Sequence, residues 1–414
     1  MAWESQKIEW ILLLILTFII FAFVNPKLLF LTTILVTLFL LTIWIINNNL
    51  NLPEHLSGKF KVKQVIGNGV VIEKNLSNIF VKTNLNLAID DWVDLDLSQI
   101  KKLDLSLNDQ PFFNYLKSQR VFFIANKVQI KLIQTTPSLK QNVLNYFLDG
   151  PKFYSQYLPL TLLGYKIDWN QEIYQKLQSV SLIHLFVISG FHINLWIFIL
   201  VKIANAFKIQ NKYFYLIIPL ILLPYLWLIG FPISAMRAYL LSYLLIFNKY
   251  CWNNKYDQIN LLAITMLTTF LINPYIIISM SFLLSFLITY SILLVLRSAN
   301  PKWIKLKIHF VAWMTSAILI AYLNENLNFS GLINGLILGP IVILIYFISA
   351  LMFFIKPLMD NIFYLFDTIV NFFQLLIISI NVKIHLAIPI ATYLILFSFL
   401  IYLNLKINFK NETN

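Results

Sequence analysis

Apolar and polar positions follow three rhythms along this 414-residue chain. The first is continuous. Trp10–Val24 and Leu28–Ile46 are apolar runs joined by Asn25-Pro26-Lys27, with no small-residue cleavage site between them. Residues 1–50 are therefore expected to form a retained transmembrane hairpin rather than a removed leader. The second rhythm is alternation. From about Asn47 to Trp169 charges become frequent, and five segments repeat with the two-residue period of a strand: Gly58–Lys63, Gly69–Lys74, Asn78–Thr83, Asp91–Leu97 and Val121–Ile133. Gly67-Asn68-Gly69 supplies tight-turn chemistry between the first two. Five short strands with an irregular or helical insertion near Pro111–Gln119 predict a small barrel of OB type over 51–136. Such barrels bind single strands of nucleic acid through aromatic platforms and basic grooves. Asp90, Asp91, Asp94 and Asp96 put acid on this one, so a structural or docking role stands beside DNA binding.

The third rhythm is helical. Over 137–181, Leu139, Val143, Leu144, Phe147 and Leu148 recur at helical spacing with Lys140, Gln141, Asn142 and Asn145 between them. This predicts an amphipathic helix on the membrane surface, ended by Gly150-Pro151 and followed by a connector. From 182 to 406 apolar runs come in quick succession, roughly at 182–201, 213–230, 233–248, 259–272, 276–296, 310–323, 331–355, 358–380 and 386–405, before a tail at 407–414. Lys202–Lys212, Asn248–Gln258 and Arg297–Lys307 carry the basic residues, whereas Phe231-Pro232, Asn273-Pro274 and Asn324–Ser330 carry no Lys or Arg. Basic loops stay cytoplasmic, so the signs alternate correctly along the series. This reading places the barrel outside the cytoplasm and the C-terminus, with Lys406 and Lys410, inside the cell.

Composition rules out a soluble fold. The chain is 59% hydrophobic and 12% charged, with mean hydropathy +0.76, more apolar surface than a water-soluble protein of this length can hide. The fold class expected is an α-helical polytopic protein of the cytoplasmic membrane, with about 9–11 spans and a small all-β, OB-like extracytoplasmic domain inserted near the N-terminus. The net charge of +13 would suggest nucleic acid in a soluble protein; here topology-setting loops account for it first. A single cysteine, Cys251, excludes a disulfide framework and a Cys-based metal site.

Three polar interruptions carry the candidate chemistry. The first is His184–His192, HLFVISGFH, at the head of an apolar run. On an ideal helix His184 and His192 lie about 80° apart and share one broad face. Ser189 and Gly190 between them suit either close helix packing or a local break. Two readings stand side by side: a polar lining inside the bundle, or histidines satisfied by carbonyls of neighbouring helices. The second is Gly230–Ala238, GFPISAMRA, where Pro232 can open a helix with Ser234 in its first turn. Arg237 then lies within an apolar stretch and needs a carboxylate, carbonyls, water or an anion; snorkelling to the interface is the plainer alternative. The third is Asn273–Ser285, NPYIIISMSFLLS, whose Ser279, Ser281 and Ser285 suit helix packing.

Other chemistries lack their residues. No Gly-x4-Gly-Lys-Ser/Thr loop is present, so the chain is not a nucleotide-driven motor of that type. His184 and His192 are too far apart for an i, i+4 zinc pair. No catalytic residue, cofactor or metal is assigned, and the chain is not expected to be an enzyme. Two rival functions remain open: a transporter of a small anion or lipid built on Arg237, and an intramembrane serine protease built on Ser189 with a histidine from another helix, His309 or His385.

The order of these features resembles the ComEC family of bacterial competence membrane proteins. Leu162–Ile193 is similar to its signature, a Leu-Gly element that here includes Gly164, followed some twenty residues later by His-Leu-x-x-x-Ser-Gly-x-His. Pro232, Ser234, Arg237 and Ala238 resemble its Pro-Ser-x-x-Arg-Ala element. Asn273-Pro274 with Phe282–Phe286 resembles its Asp-Pro…Gln-Leu-Ser-Phe element, with asparagine in place of the aspartate and Ser285 kept. The resemblance covers about residues 150–350. It implies a channel passing single-stranded transforming DNA across the cytoplasmic membrane, with His184, Ser189, Gly190, His192, Ser234 and Arg237 along the strand's path. It also implies membrane lipids as surroundings, a separate ATP-driven translocase, a DNA receptor and a nuclease as partners, and homo-oligomer formation as a further possibility. The metallo-β-lactamase-like domain that ends many members is expected to be missing, because the sequence stops soon after the last span.

Overall fold

A computed structural model describes residues 55–381 apart from 67–68, 75–76, 84–88, 104–109, 135–137, 166–170, 187, 210, 274–275, 277–278, 298–302 and 325. The hairpin expected at 1–50, the span at 386–405, the tail at 407–414, the turn residues Gly67 and Asn68, and Pro274 lie outside the described residues. The chain forms two compact units. One takes the chain up to Ser138 together with Thr269–Ser279; the other takes Leu139–Thr268 and the chain from Met280.

In the first unit, β1 (Leu56–Ile66), β2 (Gly69–Lys74), β3 (Ser77–Lys82), β4 (Trp92–Lys102) and β5 (Val121–Gln134) close into a barrel, with helix α1 (Gln110–Ser118) preceding β5. The order is β1-β2-β3-β5-β4, and β4 pairs back to β1. Only the β3–β5 pair is parallel. Alternation sends Phe60, Val62, Ile72, Ile79, Val93, Leu95 and Leu97 into the barrel. The outward lysines of β1 meet acid: Lys61 pairs with Asp90 at 2.9 Å and Lys63 with Glu73 at 3.3 Å, while His55 sits 2.8 Å from Asp96. Of the acids noted in the sequence, Asp90 and Asp96 take part in this row, and at such exposure each pair contributes under about 1 kcal/mol. Gly69 is required by packing, since a Cβ there would lie 2.4 Å from the Phe80 ring. Leu116 of α1 is fully buried against Val71, Phe80, Leu103 and Val121. Thr269–Ser279 joins this unit at the C-terminus of α1. Asn273 Nδ2 donates to the Ser118 carbonyl at 2.7 Å, and the Arg120 guanidinium donates to the Ile272 carbonyl. Helix C-termini leave such carbonyls without internal partners.

The second unit is helical: α2 (Leu139–Leu148), α3 (Lys152–Leu158), α4 (Gln171–Ser179), α5 (Ile183–Phe186), α6 (Gly190–Ala206), α7 (Lys212–Ile217), α8 (Leu223–Leu228), α9 (Ile233–Tyr250), α10 (Gln258–Ile272, whose last residues belong to the first unit), α11 (Met280–Arg297), α12 (Ile304–Asn324), α13 (Ser330–Met352) and α14 (Lys356–Gln374). Strands β6 (Asn326–Asn328) and β7 (Ser379–Asn381) pair antiparallel. Among the described residues two stretches, Ile183–Ala206 and Ser330–Met352, are long and apolar enough to cross a membrane, and Lys212–Leu228, Gln258–Thr269 and Ser281–Arg297 are shorter apolar helices.

Four segments differ from the periodicity. The run at 182–201 is broken between α5 and α6. The run at 213–230 is interrupted by a 3₁₀ turn at Ile218–Leu222, with Pro219 and Pro224 each at the start of a new segment, where a missing N–H does least harm. The run at 276–296 starts as helix only at Met280, because the chain before it belongs with the barrel. The apolar face of α2 is partly used inside the protein: Leu144 and Phe147 are buried in the helical core and Phe147 meets the Phe353 ring at 5.9 Å, whereas Leu139 stays exposed.

That core also buries a carboxylate. Asp367 of α14, 8% exposed, accepts from Tyr157 Oη at 2.6 Å, Lys176 Nζ at 2.8 Å and Asn371 Nδ2 at 3.2 Å. Three donors offset the desolvation a buried carboxylate suffers. Asp367→Ala is expected to lower the unfolding free energy by about 2–4 kcal/mol, just under the range for breaking a fully buried pair, because Lys176 keeps some solvent contact. Lys63→Ala on the barrel should change it by less than about 1 kcal/mol. Denaturant unfolding of the purified protein in detergent measures both; equal effects would remove Asp367 from its central place in the helical core.

Candidate functional site: a broken helix against a buried arginine

The site begins at the break between α5 and α6. Ser189 is extended, with φ −122° and ψ 173°, and caps α6. Its Oγ accepts from the Phe191 N–H at 3.3 Å. Its own N–H donates to His192 Nδ1 at 3.0 Å. This is a capping box in which histidine takes the position usually held by Glu or Gln. Because Nδ1 accepts, the neutral ring carries its proton on Nε2. A backbone hydrogen bond also links the ring to Leu185, on the short helix before the break. His192 is 1% exposed and stands edge-on to Tyr346 of α13, with ring centroids 4.2 Å apart.

Around Tyr346 runs a polar chain with no signal in the residue pattern. Trp196 Nε1 donates to Tyr346 Oη at 2.8 Å, a side-chain hydrogen bond joins Tyr346 to Tyr225, and Tyr225 Oη donates to the Leu162 carbonyl at 2.9 Å. Leu162 lies in a π-helical turn, Pro159–Leu163, closed by Gly164 at φ 66°. A left-handed closing residue favours glycine, which gives Gly164 a structural reason. A Cβ on Gly164 would meet Ile188 at 3.5 Å, so this turn lies beside the break.

On its other side the break meets α9. Gly230 and Phe231 both have positive φ, 80° and 53°, and Pro232 then opens α9 as its N-cap, without a side-chain cap. Ser234 Oγ donates to the Ile188 carbonyl at 3.4 Å, one of the groups freed by the break. A Cβ on Gly190 would lie 2.8 Å from Arg237 Nη2 and 2.9 Å from Ala238 Cβ. Only glycine therefore lets α6 and α9 come this close. Arg237 is 9% exposed. Its Nη1 donates to Thr289 Oγ1 of α11, and among the described residues its Nε has no hydrogen-bond partner. Among the described residues no carboxylate pairs with it. Ser285 Oγ, one turn before Thr289 on α11, is also buried without a hydrogen-bond partner among the described residues.

The structure thus brings Ser189, Gly190, Ser234, Arg237 and the helix bearing Ser285 together, and sends the histidines elsewhere. His192 faces α13, away from Arg237. His184 is exposed and interacts electrostatically with His309 of α12, whose Nε2 lies 2.7 Å from the Leu332 carbonyl. The single broad face expected for His184 and His192 presumed an unbroken helix. Asn273 belongs to the barrel unit, and Pro274 lies outside the described residues. A groove of about 320 Å³ between α6 and α13, lined by Leu195, Ile199, Pro340, Ile343, Leu344 and Phe347, carries no chemistry.

These motif segments all fall within residues 161–409, which a family model described as "Competence protein" matches. That is more than half of the chain, and the chain belongs to this competence protein family. It is also similar to an uncharacterised protein of Mycoplasma genitalium, at 29% identity over 197 residues, 47% of this chain and 50% of the relative. The chain therefore spans about half the length of the curated relative it matches. No solved structure matches it.

Gly190→Val should force α6 from α9 and destabilise the helical unit by about 1–3 kcal/mol, as overpacking does. A second change, Ala238→Gly, should restore part of the loss by removing one of the two clashes. Melting of the detergent-purified variants checks this, and a G190V protein as stable as wild type would disprove the close approach.

Proposed function

We propose that the chain is a multi-pass protein of the cytoplasmic membrane that gives a single strand of transforming DNA a polar path during competence. The observation that carries this reading is the buried Arg237 at the break in the helix, flanked by Ser189, Gly190, Ser234 and Thr289. A polyanion crossing an apolar slab needs cationic and hydrogen-bonding groups in place of lost hydration. One arginine among hydroxyls binds weakly enough for the strand to leave. Helix directions support the alternating topology. Successive contacts of α13 with the 180–196 stretch, Gly331 with Ser181, Gly339 with Leu185 and Tyr346 with His192, run in step, so the two are parallel. Gly190 with Ala238 and Asn194 with Ser242 make α6 and α9 parallel. Arg297 pairs with Asp257, so α9 and α11 end together. Parallel is what inward spans at these places in the series require. The five-stranded barrel, with its helix and closing β1–β4 pair, is read as an OB-like extracytoplasmic domain.

In this reading the chain catalyses no reaction and needs no cofactor, and an ATP-driven translocase, a DNA receptor and a nuclease act as separate proteins. Ser189 Oγ does lie 3.2 Å from His192 Nδ1. That nitrogen already accepts the Ser189 N–H, so the contact is a helix cap and a protease reading gains nothing from it. Transport of a small anion or lipid would use the same arginine and is the rival to separate. In a competent host lacking its own channel, the chain should restore import of labelled DNA. Arg237→Ala should cut that import by about tenfold or more, since a hydrogen bond to a charged group contributes about 1.5–3 kcal/mol. Stably inserted wild-type protein that restores no import would sink the DNA reading in favour of the rival.

A further inference from the structure

Arg237 is fixed at one end and, among the described residues, unpartnered at the other. Nη1 is committed to Thr289 Oγ1. Nε is buried with no hydrogen-bond partner among the described residues, and Nη2 lies beside Gly190, where a Cβ would come within 2.8 Å of it. Nε and Nη2 form the side-on edge of a guanidinium, which matches two oxygens of one carboxylate or phosphate. On the facing helix, Ser285 Oγ is likewise buried without a partner. Thr289 Oγ1, which accepts from Arg237, donates to the Ser285 carbonyl at 2.8 Å, so the pair holds one turn of α11 in place. The start of the 17-residue helix α6 lies at the same point. Its cap already uses the Ser189 and Phe191 N–H groups, so the helix contributes its dipole rather than direct bonds, and that dipole also favours an anion.

Charge selects the anion. Among the described residues no carboxylate pairs with Arg237, so the site offers one positive charge. A phosphodiester carries one negative charge, whereas a phosphate monoester carries about 1.5–2 near neutrality and would leave charge uncompensated in an apolar setting. We propose that the Nε–Nη2 edge of Arg237, with the Ser285 hydroxyl, seats one phosphodiester of the strand, holding its backbone and reading no base. This rests on the DNA reading given above and adds what is recognised. Gly190 then has a second role: any side chain there would crowd Nη2, 2.8 Å from its Cβ position. A single such contact carries no sequence information.

The test measures binding of short oligomers to the full-length protein in detergent by fluorescence anisotropy. A thymidine hexamer, an abasic deoxyribose-phosphate hexamer and a thymidine hexamer with uncharged methylphosphonate links are compared. Basic loops hold oligomers on their own, so the quantity read is the difference between wild type and Arg237→Gln. Thymidine and abasic hexamers should each weaken by about tenfold in R237Q, the loss of roughly 1.4 kcal/mol, and the methylphosphonate hexamer should show no such difference. Ser285→Ala, which keeps the packing, should weaken the first two several-fold at an unchanged melting temperature. Three results would overturn the proposal: an Arg237-dependent gain for the uncharged hexamer, a gain confined to thymidine, or no effect of either substitution. Stabilisation by phosphatidylglycerol that needs Arg237, without a matching oligomer effect, would assign the seat to a lipid and overturn it too. Wild-type protein that imports no DNA would overturn the function while leaving the measured seat in place. Import with no oligomer difference would do the reverse.

Discussion

A permanent charge held out of water organises the centre of the helical unit. Arginine cannot escape burial by losing its proton, so its surroundings must answer it. Here they do so without a counter-charge. The contacts are a threonine hydroxyl from one helix and a glycine backbone from another, with a neighbouring serine that ties the broken chain to the same turn. Each of these depends on close approach, and close approach depends on small residues: Gly190 and Ala238 meet where any larger pair would collide. The helix break follows from the same constraint. An intact helix through 187–189 would have no free Ile188 carbonyl for Ser234 and no capped start beside Arg237.

Around that centre the unit is stitched by polar contacts that cross long stretches of sequence. Asp367 collects donors from α3, α4 and its own helix. Asn328 and Asn334 donate to the carbonyls of Ser179 and Val180, and Tyr346 links α6, α8 and α13. In apolar surroundings, where greasy packing discriminates little between alternative helix positions, such contacts supply the register.

The barrel was legible because period-two alternation survives in any strand with one wet face; which of its residues, such as Phe60, Val62 and Leu95, point inward came only with the fold. The helices were legible as runs, but their ends were not. Breaks at 188–189 and 218–222 come from caps and prolines inside uniformly apolar sequence, where periodicity has nothing to report. At the site, Ser189, Gly190, Ser234 and Arg237 stood out because polar and small residues are conspicuous in an apolar run. Thr289, Tyr346, Trp196 and Asp367 did not, since each looks ordinary until folding supplies its partner. The joint face predicted for His184 and His192 failed for one reason: the angle between two residues on a helix has meaning only while the helix is continuous.

Asparagine at 273 has a consequence of its own. Its amide nitrogen gives a proton to the Ser118 carbonyl, and its oxygen is left buried without a partner. The residue acts as a donor, so the aspartate of the wider motif could not replace it silently. An ionised carboxylate would set oxygen against oxygen at the end of α1 and turn attraction into repulsion. The nearest cation in that turn, Arg120, is already committed to the Ile272 carbonyl. One nitrogen for one oxygen at this position thus decides which way the turn can be tied, and residues 118–120 form a single lock with 273.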